Sequence, residues 1–225
     1  MKPDFTGQVA VITGGAGGIG GALGRALTAA GAQVLLADRA GGEGIVACDV
    51  TRADDLEALA DLAWQRFGRV DLLVNNAGIG GAGGRLWKVD AAAARQIFEV
   101  NFWGVWNGCA AFAPRMAAQD HPSAIYNVAS ENALFCAVPR NGAYIASKHA
   151  VLGLTESFRE DLPKHVHAGT IIPGWVLSGL TSEGGREVAM PAERYAEIIL
   201  PQLAAREREV APGFGERVPV RSEEH

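Results

Sequence analysis

The chain has 225 residues, 48% of them hydrophobic, which is enough to bury one large core, and its 20 Lys and Arg against 25 Asp and Glu leave a formal net charge of -5. An acidic balance without a basic cluster excludes a nucleic-acid binder, whose docking face is normally positive. No apolar run approaches the ~18 residues of a membrane span. The start, Met1-Lys2-Pro3-Asp4-Phe5, has no signal core, and Cys48, Cys109 and Cys136 are too scattered for a disulfide frame or zinc site, so a soluble cytoplasmic protein without a metal is expected.

Residues 8–13 form a β-branched run that predicts a strand, followed by the glycine turn Thr13-Gly14-Gly15-Ala16-Gly17-Gly18-Ile19-Gly20 and by helix formers over residues 22–30. Residues 32–38, 44–49 and 70–75 read as further strands, and residues 54–67 carry apolar side chains at helical spacing. Asp90 can cap a helix running on to Met116, after which residues 123–129 predict a fifth strand. A helix over residues 144–162, a sixth strand over 168–173, a late helix opened by Pro191 at its first position and a short strand at 209–211 complete the pattern, with residues 218–225 fraying. Alternating strands and helices without an internal linker imply one α/β domain over residues 1–225, a doubly wound parallel sheet in three αβα layers.

One connection is too short for that pattern. Between Arg39 and Ile45 stand only Ala-Gly-Gly-Glu-Gly, whereas a parallel crossover takes ~10 to 12 residues with its helix. The helix between strands 2 and 3 is therefore expected to be missing, with the chain returning along a short strand.

The chemistry-bearing residues gather behind the fifth strand. Tyr144 and Lys148 are four apart and share one helix face, so the ammonium can approach the phenol and favour its ionised form, useful for proton transfer near neutrality. Ser130 precedes them at the strand end. The glycine turn follows a strand and opens a helix, where free N–H groups and the helix dipole attract a pyrophosphate. Asp38 closes the second strand, where a carboxylate can accept hydrogen bonds from ribose hydroxyls and repel a 2′-phosphate; Arg39 beside it can soften that repulsion, so NAD is preferred and NADP stays open. Asp49 either meets the adenine or serves as a turn or helix-capping carboxylate.

With these motifs in this order, the chain resembles the classical short-chain dehydrogenase/reductase family, nearly collinearly from about residue 6 to 200. The matching residues are Thr13-Gly14-x-x-x-Gly18-x-Gly20, Asn75-Asn76-Ala77-Gly78, Asn101, Ser130, Tyr144-x-x-x-Lys148 and Pro173-Gly174. The resemblance implies a Rossmann-like fold and hydride transfer between NAD(P) and an alcohol or ketone. It implies that Ser130 holds the substrate oxygen, that Tyr144 transfers the proton, that Lys148 binds the nicotinamide ribose, and that Asn101 holds a water leading to solvent. Gly14, Gly18, Ile19, Gly20, Val50, Asn75, Ala77 and Gly78 would line the dinucleotide, and Pro173, Gly174, Val176 and Ser178 its nicotinamide end.

In the same family, substrate choice comes from the loops that here supply Trp87, Asn132, Leu134, Phe135, Val138, Trp175 and Leu180, which suggests an apolar or aromatic secondary alcohol or ketone. Trp103 and Trp106 fall on the helix that the family packs against a partner subunit, so a homodimer or homotetramer is expected. Two other readings stay open, an NADPH-preferring carbonyl reductase and a non-catalytic dinucleotide sensor.

Overall fold

The computed structural model describes residues 3–135, 138–181, 186, 187 and 189–212. Seven strands run parallel in one sheet: β1 (Val9–Thr13), β2 (Gln33–Asp38), β3 (Ile45–Ala47), β4 (Leu72–Asn75), β5 (Ser123–Val128), β6 (Val166–Ile171) and β7 (Glu209–Val210), in the order β3-β2-β1-β4-β5-β6-β7. The order reverses direction between β1 and β4, and at such a switch point the loops leaving the strand ends part to leave a crevice.

Alternation along each strand assigns the two faces. Val9 and Val11 of β1 join the core under α2 (Ala53–Phe67), α4 (Gly104–Ala117) and α5 (Gly142–Asp161), with Leu56, Phe112 and Val151. Ala10 and Ile12 face the opposite core under α1 (Gly18–Ala29) and α6 (Ala192–Ala204), with Leu23, Leu27 and Ile199. Helices thus cover both faces, the three-layer Rossmann-like arrangement expected of the pattern.

The second crossover has no helix. Residues 39–44 alone join β2 to β3, and β3 begins beside Leu36, so the chain steps back only two residues before pairing. The turn is possible because Gly41, Gly42 and Gly44 have φ of 66, 157 and 71°, conformations that a Cβ would strain.

Several boundaries differ from those expected. Helix α1 starts at Gly18, inside the glycine turn, because an extended Gly17 lets the helix begin with no side-chain cap. Pro191 is the N-cap of α6 rather than its first residue. The helix opened by Asp90 is not continuous: α3 (Ala91–Phe98) passes into a π-turn, Glu99–Trp103, before α4 resumes. The fraying expected for residues 218–225 lies outside the described residues. Among those described, no helix is long and apolar enough to cross a membrane.

Candidate active site

A cleft of about 510 Å³ opens at the switch point, and three groups of loops wall it. The glycine turn supplies Gly14, Gly17, Gly18 and Ile19. The segment after β4 supplies Asn76, Ala77, Gly78, Gly80 and Gly81, and the far wall comes from Ser130, Tyr144, Lys148 and the stretch from Pro173 to Thr181.

The glycine turn is held by side chains that reach across the switch. Asn76 Nδ2 donates to the carbonyls of Thr13 and Gly14 at 2.8 and 3.1 Å, and Thr13 Oγ1 accepts from the N–H groups of Asn76 and Ala77 at 3.1 Å. Sequence reasoning misses this bracing role of Asn76, for which membership of the Asn-Asn-Ala-Gly motif is the only signal. Gly20 does not line the cleft. It allows contact instead, since a Cβ there would stand 2.3 Å from the Gly14 carbonyl oxygen and 2.5 Å from Asn76 Nδ2.

These residues fit a dinucleotide. The first turn of α1 has no capping side chain and no acidic residue, which leaves its N–H groups to an anion at the cleft floor. Beyond Gly17 there is open space within 4 Å of where a Cβ would be. Asp38 lines the same cleft, and its Oδ2 accepts the Ala16 N–H at 3.0 Å, which ties the carboxylate to the glycine turn.

At the other end, Ser130 caps a short 3-10 turn, Glu131–Ala133, its Oγ accepting the Asn132 N–H at 3.2 Å. Ser130 and Tyr144 line the same stretch of the cleft. Lys148, 3% exposed, lies with its Nζ 5.9 Å from the Tyr144 ring centre and donates to the Val128 carbonyl at 2.7 Å. Ser130, Tyr144 and Lys148 therefore converge on one wall.

The electrostatics differ from those expected of the pair alone. Burial pulls the Lys148 ammonium down to about 8. Burial also raises the Tyr144 phenol above its ordinary value; the nearby Ser130 hydroxyl opposes this, and the Glu131 carboxylate adds to it. With the ammonium donating to the Val128 carbonyl, the net direction at Tyr144 is opposite to the phenolate stabilisation anticipated from the four-residue spacing.

Asn101 sits in the π-turn with its amide fully engaged. Its Oδ1 accepts the Ile79 N–H at 2.8 Å, and its Nδ2 donates to the Ile79 carbonyl and Ser147 Oγ at 3.0 and 3.1 Å. It anchors the loop after β4, and a Cβ at Gly78 would stand 3.3 Å from Asn101 Oδ1 and 3.5 Å from Lys148 Nζ.

Other anticipated residues fall elsewhere. Asn75 points into the core, donating to Asn127 Oδ1 at 2.9 Å beneath the sheet end. Asp49 closes its own turn, accepting from Thr51 N–H and Oγ1 at 3.0 and 2.8 Å, so the turn-carboxylate alternative describes it. Val50 is buried against Gly104, and Arg39 is exposed outside the cleft. Among the anticipated substrate residues, Val138, Trp175 and Leu180 line the cleft. Trp87 does not: it is 75% exposed on a 3-10 turn, Leu86–Lys88, with Arg85 over its ring. Leu134 and Phe135 are exposed beside the cleft wall rather than in it, and Asn132 turns back, its Oδ1 accepting the Val138 N–H at 3.1 Å. Among the described residues no cluster of His, Cys, Asp or Glu could hold a metal.

This fold and site define a class, the nicotinamide-linked dehydrogenases built on a doubly wound sheet, and comparison with known proteins agrees. The family model described as short chain dehydrogenase matches residues 8–188. The chain belongs to the short-chain dehydrogenase family. Among curated proteins, it is 36% identical to 1-deoxy-11-beta-hydroxypentalenate dehydrogenase of Streptomyces arenae over 225 aligned positions, covering 88% of this chain and 79% of that one. Among solved structures, a short chain dehydrogenase/reductase from Burkholderia phymatum in complex with NAD superimposes with a TM-score of 0.83 at 32% identity, covering 93% of this chain and 90% of that one. A short chain dehydrogenase from Burkholderia cenocepacia in complex with NADP gives 0.80 at 31% identity with the same two coverages, 93% and 90%.

Proposed function

We propose that the protein is an NAD-dependent dehydrogenase that interconverts a hydrophobic secondary alcohol and its ketone. The observation that carries this reading is the convergence of Ser130, Tyr144 and Lys148 on a cleft whose opposite end has an uncapped helix N-terminus and the Asp38 carboxylate. Bound there, NAD supplies the hydride-accepting ring. Ser130 holds the substrate oxygen by hydrogen bonding, and Tyr144 takes the hydroxyl proton on oxidation or returns it on reduction. Lys148 binds a ribose hydroxyl and passes a proton onward, its ammonium eased toward neutrality by burial.

Because the Tyr144 phenol is raised, its acid form prevails at neutral pH. The phenol is then ready to donate its proton in ketone reduction near pH 7, and alcohol oxidation, which needs the phenolate as acceptor, accelerates as pH rises. Val138, Trp175 and Leu180 give the substrate end an apolar wall, which suits a ring or aliphatic chain beside the carbinol. Trp103 and Trp106, 43% and 47% exposed and stacked edge-on at 5.7 Å, form an aromatic surface on α4 and the turn before it, where a second copy of the chain would pack to make a homodimer or homotetramer. The free, buried thiols of Cys48 and Cys109, both pushed up to about 12 by burial, suit a reducing cytoplasm.

The test is purified protein with NAD and a panel of hydrophobic secondary alcohols, read by nicotinamide absorbance. Wild type should reduce NAD, and Tyr144→Phe should lose about 10²- to 10⁴-fold in rate while still binding NAD. Wild type and variant equally inert across the panel, with NAD still bound, would refute it. Titration of both cofactors against Asp38→Ala separates the NADPH-preferring reading, since Asp38 is the carboxylate that would face a 2′-phosphate.

A further inference from the structure

A serine hydroxyl can donate or accept at a substrate oxygen, and at Ser130 a neighbouring amide decides between the two. Asn132, 8% exposed, sits in the middle of the 3-10 turn that Ser130 caps. Its side chain spans two parts of the cleft wall: Oδ1 accepts the Val138 N–H at 3.1 Å, and Nδ2 donates to Ser130 Oγ at 3.5 Å. A backbone N–H can only donate, so the Val138 contact fixes the amide with its oxygen toward the loop and its donors toward the serine. The Asn132 backbone N–H reaches the same Oγ at 3.2 Å. A hydroxyl has two lone pairs and one proton. With two Asn132 donors on Oγ, the acceptor capacity of Ser130 is taken up and its O–H is left to donate. Ser130, Tyr144 and Val138 all line the cleft.

We propose that Asn132 is a positioning residue of this site: it sets Ser130 as a hydrogen-bond donor to the substrate oxygen and ties that serine to Val138 of the apolar wall. The inference rests on the dehydrogenase reading, and it divides the work there. As the carbinol carbon gives up its hydride to NAD, charge builds on the oxygen, and a donor already aimed at that oxygen holds it more tightly as the charge grows. An alcohol hydroxyl has one proton; with Ser130 donating, that proton goes to Tyr144 rather than to the serine. In ketone reduction the carbonyl oxygen accepts from Ser130 and receives the proton of Tyr144. The same amide holds Val138 in register with the serine, so one side chain sets both the reacting oxygen and the apolar group packed beside it.

Two variants separate the ends of the amide. Asn132→Ala removes both side-chain contacts, whereas Asn132→Asp keeps an oxygen for the Val138 N–H but replaces the donor to Ser130 with an acceptor that competes for the serine proton. In NAD reduction with hydrophobic secondary alcohols, both should lower kcat by about 3- to 10-fold, the loss of one hydrogen bond in the transition state, and only Asn132→Ala should also raise KM. In the Ser130→Ala background, where Asn132 has no hydroxyl to orient, neither should lower kcat further by more than about twofold. A second full loss in that background, or KM raised equally by both variants, overturns the proposal. Amide hydrogen exchange at Val138 reads the loop contact without turnover. It should accelerate by about 3-fold or more in Asn132→Ala and stay near wild type in Asn132→Asp, and an unchanged rate in Asn132→Ala also overturns the proposal. Wild type inert across the alcohol panel, with exchange at Val138 accelerated in Asn132→Ala, would refute the dehydrogenase reading instead and leave the amide's hold on the loop standing.

Discussion

A paired substitution in the glycine turn separates its structural glycines from those that face the ligand. In Gly20→Ala the new Cβ would meet the Gly14 carbonyl oxygen at 2.3 Å and Asn76 Nδ2 at 2.5 Å, and Asn76 is itself tied to the Thr13 and Gly14 carbonyls. An ordinary carbon–oxygen contact is about 3.3 Å, so α1 and the turn must separate by about 1 Å. Overpacking of this kind costs about 1 to 3 kcal/mol. At about 2 to 4 °C per kcal/mol for a chain of this size, the melting temperature should fall by about 2 to 12 °C. NAD affinity should drop with it, by about tenfold for each ~1.4 kcal/mol that the displaced N–H groups no longer contribute. Gly17 is the contrasting case. It is extended, with φ of -173°, lines the cleft, and has nothing within 4 Å of the point where an added methyl would sit. Gly17→Ala should melt within about 1 °C of wild type yet bind NAD more weakly, because the methyl enters the space a dinucleotide needs. Thermal denaturation with and without NAD, plus fluorescence titration, reads both quantities. Equal melting temperatures for wild type and Gly20→Ala, or a Gly17→Ala protein that unfolds early but binds normally, would refute the division.

Lys148→Met should remove activity and raise stability at pH 7. The ammonium falls from 10.5 to about 8 on folding, a difference of 2.5, so the native state takes up the proton less readily than the unfolded chain. Stability should then rise as pH climbs from about 8 to 10.5, and burying the charged form at pH 7 costs on the order of 3 kcal/mol, less whatever the Val128 hydrogen bond returns. A melting temperature unchanged in Lys148→Met, with no alkaline gain in wild type, would contradict this. Gly108→Ala would place a Cβ 2.1 Å from Asn75 Oδ1 inside the buried Asn75–Asn127–Thr155 chain and should lower stability by about 1 to 3 kcal/mol, measured in urea. Trp103→Glu with Trp106→Glu should convert an oligomer to monomer by light scattering without loss of fold, and an unchanged mass would exclude that aromatic face as the contact.

The order of strands and helices was legible because β-branched runs and helical spacing alternate along the chain, and the absent second crossover helix was legible because five residues cannot form one. Ser130, Tyr144, Lys148 and the glycine turn were marked by residue type and spacing, and the structure brings them to one cleft. Where each side chain points was not legible. Asn75 and Asn76 are neighbours of the same kind, yet the pleat sends one into the core and the other across to the Thr13 and Gly14 carbonyls. Trp87, Leu134 and Phe135 have the composition of a substrate wall but lie outside the cleft, because the turns that bear them face away from it. The Tyr144 environment is the clearest case: helical spacing alone predicts a lysine that favours the phenolate, whereas burial and the Glu131 carboxylate, brought in by a turn after another strand, push the phenol the other way. Identity and spacing along the chain determine which groups can react; the low-dielectric surroundings that decide how they ionise come from residues distant in sequence, and only folding places them together.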